Sequence, residues 1–487
     1  MSSDPVPAGT RLLFGPCVRR PRPGVLIGGS PWRRLRLTPA GDRLVDAWSV
    51  GVAVGDGLAQ RRLAGRLVDG GLAVPLPGDE PAGLAVTVVI PVRDRSRGLA
   101  ETLASMDPSL DVVVVDDGSS DGAAVERAAA RRPGTRLARR ASAGGPAAAR
   151  NTGWRTASTA EVVAFVDADC VTPQGFPGTL LGFFADPAVA AVAPRIRAVP
   201  APGTPAWLAA YERTRSPLDC GERPAVVRPG SPVPYVPSAV LLVRRAALEA
   251  AGGFDEQLRA GEDVDLVWRL AGRVLYTPAV VADHPMRPTV RLWAKQRYSY
   301  GMSAAPLAAR HGARVAPAAA RWPTLLAWGL VAGGRPVAGA LAAGGAALVV
   351  ALGTGPAATD VILPALAAQA RAGPQLALAL RRSWWPLALA AAGSSPSARR
   401  AMLIASMGPP LAAWRRAGGP RTGLGPGAWT LLWLADDLAY GAGLWAGAWR
   451  ARSARCLLPA PPAPLRRPTG RRRPWAPAEQ TEGRSSS

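Results

Sequence analysis

The sequence predicts an α/β fold built on a doubly wound sheet, with a small β/helix module before it and a helical region after it. Three runs carry that prediction: AVTVVIPV (85–92), DVVVVDD (111–117) and EVVAFVDAD (161–169). They are continuously apolar and β-branched rather than alternating, which suits strands buried on both faces of a parallel sheet. Helical stretches such as LAETLASM (99–106) and AAVERAAARR (123–132) lie between them. After about residue 320 long Ala- and Gly-rich apolar runs replace this rhythm. At 487 residues the chain has room for two or three domains.

Residues 10–80 read as a separate module. VLIGGSPWRRLRL gives two short strands around a Gly-Gly turn, then a helix with Thr38 as its cap, then a second helix with Leu58, Leu63, Leu67 and Val68 on one face and a Gly-Gly stop. A winged-helix-like arrangement fits. PGDEPAG (77–83) is a linker by composition, and the α/β unit occupies 84–310.

The net charge is +24, and all but one of the basic residues are Arg, the exception being Lys295. Nucleic acid is one partner such charge suggests. Its distribution points elsewhere. From Val361 to Ala435 there is no Asp or Glu, while Arg371, Arg381, Arg382, Arg399, Arg400, Arg415, Arg416 and Arg421 stand among apolar runs with Trp384, Trp385 and Trp414. That combination suits an anionic membrane surface, and no nucleic acid is expected. Residues 311–456 are therefore expected to be buried or membrane-associated helices, and 457–487, rich in Pro, Arg and Ser, a disordered basic tail. Asp436-Asp437, inside an apolar helix, should pair with Arg from the acid-free stretch. Cys17, Cys170, Cys220 and Cys456 form no C-x-x-C motif and read as reduced structural thiols. The N-terminus has no sustained apolar core, so no signal peptide is expected.

Ligands of an open parallel sheet bind at the carboxyl ends of its strands. Here those ends are polar: Pro91 followed by Arg93 and Asp94, then Asp116-Asp117-Gly118-Ser119, then Asp167-Ala168-Asp169. Carboxylates gathered at one rim need compensation, and a divalent cation taking hard oxygen ligands, Mg2+ or Mn2+, would supply it. Further on, Glu262-Asp263 open a helix. The helix dipole favours acids there in any case, and one of them could also serve as a general base.

The order VTVVIPVRDR, VVVVDDGSSDG, GGPAAARNTGW, FVDADC, GGFDE, GEDVDLVWRL and KQRYSYG resembles the inverting family 2 glycosyltransferases of GT-A fold, over residues 84–300. The resemblance implies that Pro91 and Asp94 lie under a nucleotide base, that Asp117 with Asp116 beside it contacts uracil, and that Arg150 is near the base or phosphates. It implies Asp167 and Asp169 as the metal pair, Asp263 as the base and Glu262 as its support. Gln296-Arg297-Tyr298 only partly matches the Q-x-x-R-W motif of processive members. Arg297 is a candidate for the diphosphate or for a structural role, and His284 a candidate for the acceptor side.

With its leading module, and with YSYGMSAAPLAARHG and LADDLAYGAGLWAG, the chain from 10 to 458 is similar to the glycosyltransferases of the mycofactocin system. That implies UDP-glucose as donor, a peptide-derived redox cofactor or its precursor as acceptor, a short β-1,4-glucan as product, and a leading module that binds peptide. It places the protein in the cytoplasm, or on the cytoplasmic face of the membrane, of a high-GC bacterium. The alternatives are a cell-wall or lipid-linked transferase and a non-catalytic peptide- or nucleic-acid-binding protein.

Overall fold

The computed structural model describes residues 4–30, 32–319, 321–353 and 358–460. Most of the expected basic tail, from 461 on, lies outside the described residues.

The leading module contains β1 (Leu12–Phe14), β2 (Arg19–Arg22), β3 (Val25–Gly28), β4 (Arg33–Arg36), α1 (Pro39–Ser49), α2 (Leu58–Asp69) and β5 (Ala73–Pro75). β2, β3 and β4 form an antiparallel sheet, and β1 pairs with β5. The Thr38 hydroxyl accepts the Gly41 N–H at 3.1 Å and caps α1, as its position before an apolar-periodic run predicts. Leu26, Trp48, Leu67 and Leu72 fill a core of its own. Arg273, buried in the next unit, ties the module down by bonding Asp69 at 2.9 Å and Asp186 at 2.7 Å.

The α/β unit runs β6 (Val86–Val92), α3 (Ser96–Ala104), β7 (Asp111–Asp116), α4 (Gly122–Ala130), β8 (Arg136–Arg139), α5 (Pro146–Thr156), β9 (Val162–Val166), α6 (Gly178–Leu181), β10 (Val189–Val199), α7 (Ala206–Arg215), β11 (Ala225–Val226), β12 (Val240–Arg244), α8 (Arg245–Ala250), α9 (Glu262–Arg269), β13 (Arg273–Pro285), α10 (Val290–Met302) and α11 (Ala304–His311). Eight strands form one sheet in the order β11-β13-β10-β12-β9-β6-β7-β8. The predicted doubly wound pattern holds for β9, β6, β7 and β8, which are parallel. The other half is mixed, because β12 runs antiparallel to both β9 and β10. The continuous apolar runs have the expected cause. Val88, Ile90, Val112 and Val114 pack on one face against Leu99 and Val125, while Val89, Val113, Val115 and Phe165 pack on the other with Trp154.

The remaining helices are α12 (Trp322–Ala332), α13 (Pro336–Leu352), α14 (Ala358–Arg382), α15 (Trp385–Ser394), α16 (Pro396–Arg416) and α17 (Pro426–Arg450). Among the described residues, no helix is long and apolar enough to cross a membrane. α17 lies tight on α10. A Cβ on Gly301 would collide with the Tyr440 carbonyl, and one on Gly443 with that of Tyr298. The aspartate pair inside α17 is matched by arginines. Asp437 takes Arg381 Nε at 2.6 Å and Arg382 Nε at 2.5 Å, and Asp436 takes Arg297 Nε and the Tyr211 hydroxyl at 3.2 Å each.

Candidate active site

With β6 between β7 and β9 and all three parallel, their carboxyl ends share one edge. A cavity of about 1270 Å3 opens there. Pro91, Asp117, Arg150, Asp167, Asp169, Glu262, Asp263 and Arg297 line it. Asp94 and Asp116 are not among the lining residues. Successive strand residues face opposite ways, so only one of Asp116 and Asp117 can look into the cavity. Asp116 turns inward and takes the Ser119 N–H at 2.9 Å. Asp94, at φ +54°, accepts both the N–H and the O–H of Ser120 at 2.7 Å, and these bonds hold its pKa below the usual carboxylate value. Both side chains brace the loops beneath the site.

Asp117 is held by the turn that starts α5: Gly144 and Gly145 donate their N–H groups to it at 2.9 and 2.7 Å, and Arg140 Nε does so at 2.9 Å. Gly145 sits at φ +91°, a conformation that favours glycine, and Pro146 then opens the helix. One turn on, Arg150 reaches across the cavity floor. Its Nη2 bonds Asp167 at 2.7 Å and its Nη1 bonds Glu262 at 2.9 Å. Burial alone would lower its pKa, but the two carboxylates outweigh burial and hold it charged. Its Nε has no partner among the described residues.

Asp167 is fixed by its backbone N–H to the Ala239 carbonyl at 2.9 Å, and Asp169 forms an ion pair with Arg95. His284, a candidate for the acceptor side, lines the cavity and lies against Asp169, its Nε2 3.5 Å from Oδ1. The Nδ1 contact of 2.9 Å with the Pro285 carbonyl requires the proton on Nδ1. Burial, with Arg287 nearby, pushes the imidazole pKa down to about 4 against the pull of Asp167. At neutral pH a lone pair on Nε2 thus faces a carboxylate oxygen, acceptor to acceptor. A cation between them would satisfy both.

That pairing is the test of fit for a divalent metal, and Asp169 and His284 pass it with hard oxygen and imidazole donors, while Asp167, two residues before Asp169, is bonded to Arg150. Asp169, Cys170 and His284 form a tight cluster, with donor atoms within 4.8 Å of one another. Burial, with Asp167 beside it, pushes the Cys170 thiol well above its usual pKa, so it is the poor donor of the set. All four cysteines are free.

Opposite stands the start of α9, entered through Gly261 at φ +80°. Burial, reinforced by the charge of Glu262, pushes Asp263 up to about 7. Among the described residues, its oxygens take the Val264 N–H at 2.8 Å and a long contact of 3.4 Å from Ser238 N–H. Residues that sequence reasoning gave no site role hold this helix: Asp265, fully buried, bonds Arg269 at 2.8 Å and His311 of α11 at 2.9 Å. Arg297 is committed elsewhere. Its three nitrogens meet Gln296, Glu212 and Asp436, so of its two expected roles the geometry matches the structural one.

Residues 87–250 match the model of Glycosyl transferase family 2. The chain is 41% identical over 447 residues to the pre-mycofactocin glycosyltransferase of Mycobacterium tuberculosis, in each of two strains, covering 89% of this chain and 94% of the relative. Among solved structures, the mannosyltransferase PcManGT of Pyrobaculum calidifontis, in complex with GDP-Man and Mn2+, is similar over 77% of this chain and 91% of its own, at 21% identity and a TM-score of 0.42. With the motif order, the strand-end carboxylates and this extent of identity together, the chain belongs to the pre-mycofactocin glycosyltransferases of glycosyl transferase family 2.

Proposed function

We propose that this glycosyltransferase moves glucose from UDP-glucose to mycofactocin or its precursor, with inversion, and by repetition builds a short β-1,4-glucan. The observation that carries the reading is the sharing of one cavity by the strand-end carboxylates and a carboxylate raised to about 7. A divalent cation held by Asp167, Asp169 and His284 would offset the charge of the leaving diphosphate. Asp117 meets the uracil over Pro91, and Arg150, near the phosphates, holds Asp167 and Glu262 in place. Asp263 accepts the proton of the acceptor hydroxyl as that oxygen bonds to the anomeric carbon and the bond to the β-phosphate breaks, releasing UDP. Tyr235, Trp268, Tyr300 and Tyr440 line the same cavity and give flat apolar faces for an aromatic or sugar acceptor. The leading module is proposed to hold a peptide-derived acceptor.

The test is UDP release from UDP-glucose by the purified full chain, with Mn2+ or Mg2+ and the aglycone acceptor, beside Asp169→Ala and Asp263→Ala. Acceptor-dependent release lost in both variants supports the assignment. Release with GDP-mannose but not UDP-glucose overturns the donor, and release only with lipid extracts overturns the acceptor.

A further inference from the structure

The helices after the catalytic unit leave large apolar side chains in water. α13 is the extreme case. Val337, Leu341, Leu348 and Leu352 recur at helical spacing along one face, and Val349 lies beside them. Val337 and Leu341 are each 72% exposed, Val349 71% and Leu352 63%. The opposite face is small and buried, at Gly339, Ala347 and Ala351. Neighbouring helices repeat the arrangement: Trp322, Leu325 and Leu326 on α12, and Leu403, Ile404 and Met407 on α16, are exposed at i, i+3 or i+4 spacing. α12 packs on α13, α13 on α14, and α14 on α16, so these stripes belong to one body. Apolar surface of that extent marks a site of contact.

Charge identifies the partner. Between His284 and Ala435 the sequence holds one acidic residue, Asp360. It is buried and neutralised by Arg22, at 2.9 Å, and Arg34, at 3.3 Å. The exposed charges of this body are therefore arginines, among them Arg335, Arg371, Arg399, Arg415 and Arg416. Arg400 lies against Gly334, which gathers it with Arg335 at the α12–α13 turn beside the apolar stripe. A second copy of the chain would bring the same acid-free surface and set Arg against Arg. An anionic lipid headgroup layer over an acyl boundary complements both features. The 17 residues of α13 rise about 25 Å, short of the roughly 30 Å hydrocarbon core, and no described helix is both long and apolar enough to cross, so the helices suit the plane of the interface.

We propose that α12–α16 form an in-plane docking surface for an anionic lipid bilayer, holding the catalytic unit at the membrane without a span. The test is flotation of the purified full chain with phosphatidylglycerol or phosphatidylcholine vesicles, at low and high salt. The expected result is flotation with phosphatidylglycerol alone, weakened by salt. The variant Val337→Glu/Leu341→Glu/Val349→Glu should lose about tenfold in vesicle partitioning, with unchanged circular dichroism and unchanged UDP release in solution. Arg335→Glu/Arg399→Glu, which touches no apolar residue, should lose a similar amount and decides the matter if the first variant misfolds. No flotation of the parent chain at low salt, or equal flotation of the folded variants, overturns the proposal. So does a dimer in light scattering that the apolar variant dissociates, which would assign the surface to a second copy.

Discussion

Nη1 of Arg150 stands 2.9 Å from Oε1 of Glu262, although 112 residues separate them. The bond joins α5, which carries Arg150, to α9, which carries the proposed base. Replacing Arg150 with Ala leaves Glu262 and Asp167 without their shared cation. Loss of one partner from a buried pair costs about 3–5 kcal/mol. Asp167 remains partly open to solvent, so about 2–3 kcal/mol is expected here, with loss of transfer. Urea unfolding and UDP release read the two effects, and Arg150→Lys should recover part of the stability but little activity. An alanine variant as stable and active as the parent would contradict the bridge.

The raised pKa of Asp263 fixes the direction of two pH effects. Its folded value, about 7, lies above the ordinary aspartate value of about 3.9. Below the ordinary value both states hold the proton and there is no penalty. As pH rises from 4 to 7 the unfolded chain releases its proton first, and the folded state loses stability until about pH 7. Asp263→Asn should therefore unfold at higher urea than the parent at pH 8 and at the same urea at pH 4. For the parent, kcat/KM should rise with pH to a plateau above about 7, and the Asn variant should lose about a hundredfold or more in rate. A parent profile flat from pH 5 to 9 would remove Asp263 from the role of base.

His284→Ala should weaken Mn2+ binding by about tenfold to a hundredfold. Calorimetric titration of metal into the apo chain measures this without any turnover. Chelation with EDTA should abolish transfer by the parent chain, and added Mn2+ should restore it. Equal Mn2+ affinity in the two chains would mean that the lone pair facing Asp169 has another use.

Gly301→Val should lower the melting temperature, because the obstacle to its side chain is the Tyr440 backbone, which cannot swing aside. Overpacking of this kind costs about 1–3 kcal/mol. Gly345→Ala, where a Cβ meets open space on α13, is the matched control and should leave the melt unchanged or raise it slightly.

Features that depend on local order along the chain were legible in the sequence. The strand runs, the Thr38 cap, the carboxylates at the ends of β7 and β9 and the acidic start of α9 are each set by residues within a few positions of one another. The partnership of Asp437 with Arg381 and Arg382 was also legible, since an acid inside an apolar helix demands a base and only one region offered a surplus. Three-dimensional partners were not. Nothing in the spacing sets His284 against Asp169, Arg150 against Glu262, or His311 against Asp265, because each pair is brought together by sheet order and helix docking. The antiparallel entry of β12 escaped for the same reason: an apolar strand reads alike in either direction. Asp94 and Asp116 bear their motif's residue types, but local turn geometry aims their carboxylates at Ser119 and Ser120.

The family match ends at residue 250, while Asp263, His284 and Tyr440 line the same cavity from beyond it. The segment that carries the family signature is therefore not a portable cassette. A chimera that exchanged only that segment would transplant the proposed nucleotide end of the enzyme and leave behind the proposed base and the far wall. Because α17 adds Tyr440 and Asp436 to that wall, substitutions in a helix outside the family profile can redraw the shape presented to acceptors while donor chemistry stays constant.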